Sequence, residues 1–306
     1  MTPKQGLLVC CLSILPWGSA FAERDWYRYE NTYFEAFSDD SPRNVRKTLD
    51  ELELFRAAVA QIANIQIPDD APKVRVVSFA SNTEFHSLIG SIYIDGFTTS
   101  SDGIHYLVLA DKSTPEWEKR AARHEYAHVL LSYKNFPYPS WFHEGFAELM
   151  SMTEFRSRDR EFSVGKPTGR QKYSNQSPQW SALLASDFNM HGIRDWGDRS
   201  DVYLLSWVLT HHFMIDDDFA NTDKLVRYLT LLGQGQDSVS AFEASVGEPA
   251  DEYCNKLLRE YSKRKLRFVT YEFNPEFLDL DFVRSDASIE DIRPLLDKLE
   301  RRELGN

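Results

Sequence analysis

The chain has 306 residues, of which 42% are hydrophobic, so it has room for one large domain or two modest ones with a buried core. Its formal net charge of −12 at pH 7 and its pI near 5.2 argue against a nucleic-acid partner, because phosphate binding needs clustered Lys and Arg side chains. A globular protein is the default class.

The first 22 residues have the three parts of a signal peptide. Lys4 lies in a short amino-terminal region, an apolar stretch runs from Gly6 to about Trp17, and Ala20-Phe21-Ala22 has the small residues of a cleavage site. The alternative is an uncleaved anchor, but the stretch is short for a bilayer span and contains Pro16. We therefore predict cleavage after Ala22, export to the periplasm or the medium, and no stable membrane insertion of the mature chain.

Cleavage would also decide the cysteine chemistry. It removes Cys10 and Cys11 and leaves Cys254 as the only cysteine. The mature chain could then form no internal disulfide, so packing, and possibly a bound metal, would have to stabilise it.

The first half of the mature chain is predicted to form a small mixed sheet with one long helix on it. Apolar residues at helical spacing run from Ser41-Pro42 to Ile62, and Pro68 closes the helix. The expected strands lie within Trp26–Phe37 (one or two strands), Lys73–Phe79, Ser91–Phe97 and Ile104–Leu109.

A pair of helices is predicted next. Ser113-Thr114-Pro115-Glu116 is a typical helix start, with a capping hydroxyl, a first-turn proline and an early acidic residue, and the helix should run to about Tyr133. Pro137 and Pro139 then interrupt the chain. Ser140 is expected to cap a second helix that runs through Met152.

The remainder is predicted to be a loop followed by helices. Thr153 to about Gly197 is polar and rich in turn residues, and loops of this length are often functional. The later elements are helices at Val202–Met214, Leu225–Leu232 and Pro249–Leu266, a strand at Arg267–Phe273, and a final helix at Ile289–Leu304 that either packs on the core or meets a partner. We divide the α+β chain into a signal peptide (1–22), an α/β subdomain (23–197) and a mainly helical C-terminal subdomain (198–306).

The first predicted helix of the pair contains His124-Glu125-Tyr126-Ala127-His128, an HExxH motif. Residues four apart lie on one helix face, so His124 and His128 can direct two imidazole nitrogens at one metal ion. Glu125 lies about 100° further round the helix, where a general base for a zinc-bound water belongs. The motif alone also occurs by chance on surface helices, so a third ligand is needed to support a metal site.

The third ligand cannot come from the metzincin continuation of the motif, because Leu131 and Lys134 occupy its glycine and third-histidine positions. The segment Pro139–Glu148 follows instead, and it places Glu144 and Glu148 one helical turn apart. His143 is a rival ligand, but adjacent helical residues point about 100° apart, so only one of the two neighbours should reach the metal.

HExxH followed by Trp141-Phe142-His143-Glu144-Gly145-Phe146-Ala147-Glu148 resembles the gluzincin metallopeptidases, specifically the peptidase MA-like group with its WxxEGxAE helix. The resemblance covers roughly residues 26 to 265, closely at the metal site and loosely elsewhere. It implies a gluzincin-like fold, Zn²⁺ as cofactor, Glu144 as third ligand, and Glu148 in the shell behind the ligands. Fifteen residues separate His128 from Glu144, fewer than in thermolysin or the aminopeptidase N relatives.

General metal chemistry agrees with this assignment. A zinc-bound histidine normally donates its other ring N–H to a carboxylate that fixes its tautomer, and Glu148, which shares a helix face with Glu144, is placed to accept it. We expect Gly145 to leave the metal side of the helix uncrowded. Trp141, Phe142 and Phe146 are expected to bury the helix.

The resemblance also implies a mechanism, in which Glu125 deprotonates a zinc-bound water and passes the proton to the leaving amine. A further donor should stabilise the oxyanion. The downstream candidates are Tyr203, His191, His211 and His212, and the resemblance favours Tyr203, whose alternative role is packing on a helix face. Gluzincins commonly hold substrate backbone along an exposed strand, and Ile104–Leu109 is the natural candidate. Tyr93, His105 and Arg123 are expected to line the cleft.

The function that these expectations favour is an exported zinc metallopeptidase, a hydrolase that acts on peptides or proteins. One alternative is a non-catalytic peptide- or envelope-binding protein that keeps zinc as a structural element, although such a site has no need of Glu125. The other is a metal-dependent amidase for a non-peptide amide. The sequence leaves the oligomeric state open.

Overall fold

The computed structural model describes residues 25–89, 96–101, 103–110, 116–156, 160–166, 180–185, 196–263 and 265–300. The predicted signal peptide, Tyr93 and His191 lie outside these ranges. Within them, no helix is both long enough and apolar enough to cross a membrane.

Helices and two sheets alternate along the chain. The strands are β1 (Trp26–Glu30), β2 (Phe34–Ser38), β3 (Val74–Ser78), β4 (Gly96–Ser101), β5 (Ile104–Leu109), β6 (Glu154–Arg156), β7 (Glu161–Val164), β8 (Val269–Glu272) and β9 (Val283–Ala287). The helices are α1 (Pro42–Ala63), α2 (Asn82–Ile89), α3 (Glu116–Ser132), α4 (Ser140–Ser151), α5 (Trp180–Ala185), α6 (Trp196–Met214), α7 (Thr222–Gly233), α8 (Ser238–Val246), α9 (Ala250–Tyr261) and α10 (Ile289–Glu300).

The larger sheet has the strand order β4-β5-β3-β2-β1-β9. The pairs β2–β3 and β3–β5 are parallel, and the pairs at both sides of this centre are antiparallel, so the sheet is mixed as predicted. The mixed α+β class is therefore confirmed.

Alternation along the central strands gives the sheet two apolar faces. Phe34, Val76 and Leu107 belong to the main core, which also contains buried residues of α1, α3 and α4. Their neighbours in the strands, such as Val77 and Val108, point to a smaller core on the other face with residues of α2 and α10. The final helix is thus a packing element.

The predicted loop at Thr153–Gly197 is wrong in part, because it contains β6, β7 and α5. β7 buries Phe162 and Val164 and pairs with β8, which lies far along the chain, so only the tertiary fold completes this strand. The elements α2, α8 and β9 were also not predicted. β9 is almost wholly exposed, so its sequence lacks the apolar pattern that predicts a strand. Backbone pairing with β1 holds it in the sheet.

The chain beyond residue 197 returns to both sheets. Helices α6 to α9 occupy its first part, as predicted, but β8 completes the small sheet and β9 and α10 join the large one. The division of the mature chain at residues 197/198 stays a prediction.

A buried ion pair on α1 holds part of the C-terminal chain, the segment before β9, in place. Arg56 and Glu53 have side chains only 2% and 0% exposed, and Arg56 donates Nε and Nη2 to the two carboxylate oxygens at 2.8 and 2.7 Å. Arg56 also donates to the carbonyl oxygen of Phe277, and Glu53 accepts the backbone N–H of Asp279 at 2.7 Å. The guanidinium lies 3.7 Å from the ring centroid of Tyr33. One ion pair on α1 thus holds the segment that leads into β9.

Arg56→Met should lower the free energy of unfolding by about 3–5 kcal/mol, because it leaves the Glu53 carboxylate buried without its cation. The measurement is urea unfolding followed by circular dichroism. Arg293 is a matched control, since it forms the same bidentate pair three residues from Glu290, with side chains 44% and 69% exposed. Arg293→Met should cost less than about 1 kcal/mol. Equal costs at the two sites would contradict the role given to the buried pair.

Candidate metal centre

The candidate site is built by α3 and α4, which are connected through the predicted proline break. α3 ends at Ser132, and α4 begins at Ser140 as its first helical residue. The cap is Pro139, with φ −67° and ψ 152°, and no side chain caps the helix, so the prediction that Ser140 is the cap is wrong. Proline suits this position because its fixed φ matches the extended cap conformation.

Three donor atoms converge between these helices. Nε2 of His124 lies 3.2 Å from Oε2 of Glu144 and 3.2 Å from Nε2 of His128, and the third side of the triangle, from His128 to Glu144, is 3.7 Å. Ligand atoms 2.0–2.1 Å from a tetrahedral zinc ion are about 3.3 Å from one another. The triangle therefore has the dimensions of one face of a zinc tetrahedron.

The rival ligand His143 lies outside this triangle. Its ring centroid is 6.2 Å from that of His128 and 5.8 Å from that of Tyr138. Among the described residues, the group of His, Cys, Asp and Glu that could hold a metal ion consists of His124, His128 and Glu144. This placement favours Glu144 over its neighbour as the third ligand.

A chain of ionic contacts leads from the donor triangle to Arg120. Nδ1 of His124 lies 3.3 Å from Oε2 of Glu148, so donation of the Nδ1 proton leaves the Nε2 lone pair for a metal. Glu148 in turn accepts a hydrogen bond from Arg120, which also contacts Oγ of Ser151 at 3.3 Å. Arg120 was not singled out in the sequence, although its position one turn before His124 on the same helix face was a usable signal.

Charge pairing inside the site is strong. Burial by itself would lower the pKa of His124, but hydrogen bonds with Glu144 and Glu148 outweigh it and raise that pKa to about 9. Burial likewise opposes ionisation of Glu144, yet hydrogen bonds with His124 and His128 lower its pKa to about 2. The carboxylate is therefore charged at neutral pH, and a metal ion would have to displace a proton from His124.

Glu125 faces a cleft beside the triangle. It is exposed, and with His128 it lines a cavity of about 330 Å³ whose other side is formed by β4 and β5. Ser100 and His105 are cross-strand partners there, with Ser100 Oγ 2.6 Å from His105 Nδ1. His105 thus lines the cleft as expected, whereas Arg123 lines a different cavity.

The strand expected to hold substrate is not at the edge of the sheet. β5 lies between β4 and β3, so its backbone groups are already paired, and the prediction that Ile104–Leu109 is an exposed strand is wrong. The edge strand on this side of the sheet is β4, which within the described ranges pairs with β5 alone, whereas β9 forms the other edge. The strand predicted at Ser91–Phe97 overlaps β4 only at Gly96 and Phe97, and residues 91–95 lie outside the described ranges. The polar sequence of β4 gave no signal for an edge strand.

The candidates for the oxyanion donor lie in different surroundings in the fold. The ring centroid of Tyr203, which is half-buried on α6, lies 5.4 Å from that of His124. His211 is fully buried and contacts the hydroxyl of Tyr261 at 2.8 Å and two backbone carbonyls. His212 contacts Tyr253 Oη at 2.6 Å. Of the described candidates, Tyr203 is therefore the one beside the metal ligands.

Gly145 has a role different from the expected one. A Cβ atom at this position would lie 2.2 Å from Oγ1 of Thr210 and 2.3 Å from the carbonyl oxygen of Ser206, both on α6. Gly145 therefore faces α6 and not the metal, and the prediction that it keeps the metal side uncrowded is wrong. The missing side chain lets α4 and α6 approach closely, and both Glu144 of α4 and Tyr203 of α6 lie next to His124.

Neither a comparison with models of known protein families nor one with curated proteins finds a match to this chain. The class of the site therefore rests on its own chemistry. Two imidazoles and one carboxylate, with an exposed carboxylate beside them in a cleft, form a candidate metal centre. Among the described residues three protein donors converge, and three donors would leave a tetrahedral ion one open position.

Gly145→Ala should destabilise the protein by about 3 kcal/mol and lower its metal affinity at least about tenfold, because the added methyl group forces α4 away from α6 and moves Glu144. Unfolding and competitive chelator titrations measure the two effects. Gly233→Ala is the control, since its Cβ would have an ordinary contact of 3.8 Å with Phe136. Unchanged metal affinity in Gly145→Ala would contradict this account.

Arg120→Met should weaken metal binding by about tenfold, because it removes the cation that orients Glu148 behind His124. The same chelator titration measures the effect. Arg120→Lys should recover part of the affinity, and removal of the exposed Arg227 charge in Arg227→Met should have no effect. Equal affinities in the Arg120→Met variant and the wild type would show that Glu148 needs no support from Arg120.

Proposed function

We propose that this chain is an exported zinc-dependent metallopeptidase of the gluzincin type, which hydrolyses peptide bonds in peptides or proteins. The observation that carries the proposal is the triangle of His124, His128 and Glu144 donor atoms, with sides of 3.2, 3.2 and 3.7 Å. Its size and its nitrogen and oxygen donors suit Zn²⁺. The resemblance of the two helices to the peptidase MA-like group supports the same reading.

Zinc bound at this triangle would supply a Lewis acid that lowers the pKa of a water molecule and polarises a carbonyl group. Glu125 is exposed to the cleft and lies beside the ligands in the sequence, so its carboxylate can accept a proton from the attacking water and pass it to the leaving amine nitrogen. Tyr203, whose ring centroid lies 5.4 Å from that of His124, would donate a hydrogen bond to the developing oxyanion. With a metal bound, Glu148 would accept the Nδ1 proton of His124 and so favour the tautomer in which Nε2 coordinates the metal.

The substrate backbone would lie along β4. An extended peptide can pair with an edge strand through main-chain hydrogen bonds, and β4 borders the same cavity as Glu125 and His128. Such pairing reads the backbone and not the side chains, which favours peptides over other amides. This is the specific support for a peptidase over an amidase.

An exposed Glu125 in an open cleft also favours catalysis over a purely structural zinc site. A structural site is closed by four protein ligands, whereas three donors converge here among the described residues. Export is proposed on the N-terminal sequence pattern alone.

Glu125→Gln should lower kcat for peptide cleavage by about 10³-fold while the protein keeps one zinc per chain, because the amide cannot accept the proton. Glu144→Ala should lose most of the zinc. The assay is cleavage of casein and of a peptide library, with and without a chelator, alongside metal analysis. Glu252→Gln, an exposed glutamate on α9, is the matched control and should behave as the wild type.

Three outcomes would count against the proposal. Full zinc occupancy in the Glu144→Ala variant would show that the metal binds at another site. Chelator-insensitive cleavage, or equal rates in the Glu125→Gln variant, would remove Glu125 from the chemistry. A zinc-loaded wild type that cleaves a non-peptide amide but no peptide would favour the amidase, and one that cleaves neither would favour the binding protein.

A further inference from the structure

A further cavity, of about 310 Å³, adjoins the cleft of Glu125. It lies between the turn that connects β1 to β2, the loop that precedes β3, and the C-terminal half of α3 with the residue that follows it. Val74 and Tyr126 line both cavities. The two cavities follow one edge of the large sheet, from β4 past the starts of β5 and β3 to the turn before β2. A peptide in the cleft can therefore extend into the neighbouring cavity.

Three tyrosines give this cavity its character. Tyr33, Tyr126 and Tyr133 line it, so we call it the tyrosine cavity, and no described residue forms a hydrogen bond with any of their hydroxyl groups. Tyr33 and Tyr133 are near enough to Tyr126 to act electrostatically on its phenol, so the three hydroxyls lie close together. Tyr126 is only 2% exposed, and a buried hydroxyl without a partner carries a desolvation cost that a bound acceptor would offset. The tyrosine cavity thus presents donors for a ligand.

The walls of the tyrosine cavity are rigid without a ligand. Pro68 and Pro72 fix two φ angles of the loop before β3, and the backbone N–H of Ala71 donates to the carbonyl oxygen of Pro68 at 3.0 Å. The Arg56 guanidinium covers one face of the Tyr33 ring at 3.7 Å from its centroid and so holds that ring in place. A preformed site loses little conformational entropy when a ligand binds.

The charged side chains of the tyrosine cavity do not select an ion. Lys73 is already paired, because its Nζ lies 2.6 Å from Oε1 of Glu30 and 2.6 Å from the carbonyl oxygen of Asn31. Asp69 is exposed, so water solvates its carboxylate. Aromatic rings and hydroxyl donors remain, and they favour a neutral ligand that carries carbonyl oxygens.

We propose that the tyrosine cavity binds a proline-containing segment of the substrate, an inference that rests on the proposed peptidase function. A segment in the polyproline II conformation has no internal hydrogen bonds, so its carbonyl oxygens are free to accept from tyrosine hydroxyls. Proline has no N–H group and needs no acceptor in return. Proline-rich segments bind to aromatic-lined grooves for the same reasons, and their preformed conformation lowers the entropy lost on binding. The proline lies among the three tyrosines, while the residues that flank it occupy the cleft.

The test is isothermal titration of the zinc-loaded Glu125→Gln variant, which should bind peptides without cleaving them. The ligands are capped alanine hexapeptides with two central prolines, two leucines or two lysines, and the tetramer of N-acetylglucosamine. We expect the proline peptide to bind at least about tenfold more tightly than each of the others. Adding Tyr126→Phe and Tyr133→Phe together should weaken its binding at least about tenfold. Both substitutions remove a hydroxyl that no described residue pairs with, so the unfolding midpoint in urea should not fall.

Tyr27→Phe is the matched control. Tyr27 is half-buried, no described residue forms a hydrogen bond with its hydroxyl, and it does not line the tyrosine cavity, so its substitution should leave binding unchanged. Equal or tighter binding of the leucine peptide, the lysine peptide or the sugar would overturn the proposal. Equal affinities of the control and the double tyrosine variant would do the same. Loss of binding when zinc is removed would place the peptide on the metal and also contradict it.

Cleavage by the wild type separates this inference from the function on which it rests. If the proline peptide binds through the tyrosines and neither it nor any other peptide is cleaved, the peptidase function fails and the proline site stands. If peptides are cleaved in a zinc-dependent manner and the proline peptide binds no more tightly than the others, the peptidase function stands and the proline site fails.

Discussion

The close approach of α4 and α6 at Gly145 is the constraint on which the candidate site depends. α4 carries Glu144 and Glu148, α6 carries Tyr203, and α3 with its two histidines packs on α4. Any side chain at Gly145 would overlap the backbone of Ser206. The glycine therefore sets the separation of two helices whose polar residues surround the same imidazole. The packing of α4 against α6 therefore determines where the donor atoms of the site lie.

Charge is the second organising feature. His124 lies between two carboxylates, and Arg120 balances the outer one, so the buried site is an alternating series of charges that ends at the metal position. Buried charges are tolerated when each has a partner of opposite sign. The Glu53–Arg56 pair obeys the same rule on α1, where it serves the fold by holding the chain that leads into β9. Pairing of opposite charges thus recurs at the candidate metal centre and at the segment that leads into β9.

The large sheet borders two cavities. Its edge strand β4, which within the described ranges pairs with β5 alone, lines the cleft of Glu125, and the carboxyl end of β5 lines the cavity between α1 and α3. α3 connects them, because Arg123 lines one cavity and the neighbouring His124 belongs to the metal triangle. The helix α3 therefore forms part of the wall of both cavities.

The sequence by itself determined the local parts of this protein. Periodicity identified α1, α3, α4, β3 and the helical run after residue 198, and helix geometry related His124 to His128 and Glu144 to Glu148 within each helix. The choice of Glu144 as third ligand came from the resemblance to the peptidase MA-like group. Only the tertiary structure decided that β4 is an edge strand, that β7 and β9 form, that Gly145 faces α6, and that Arg120 pairs with Glu148. These features depend on contacts between distant segments, and a local pattern does not record which distant segment will pack against it.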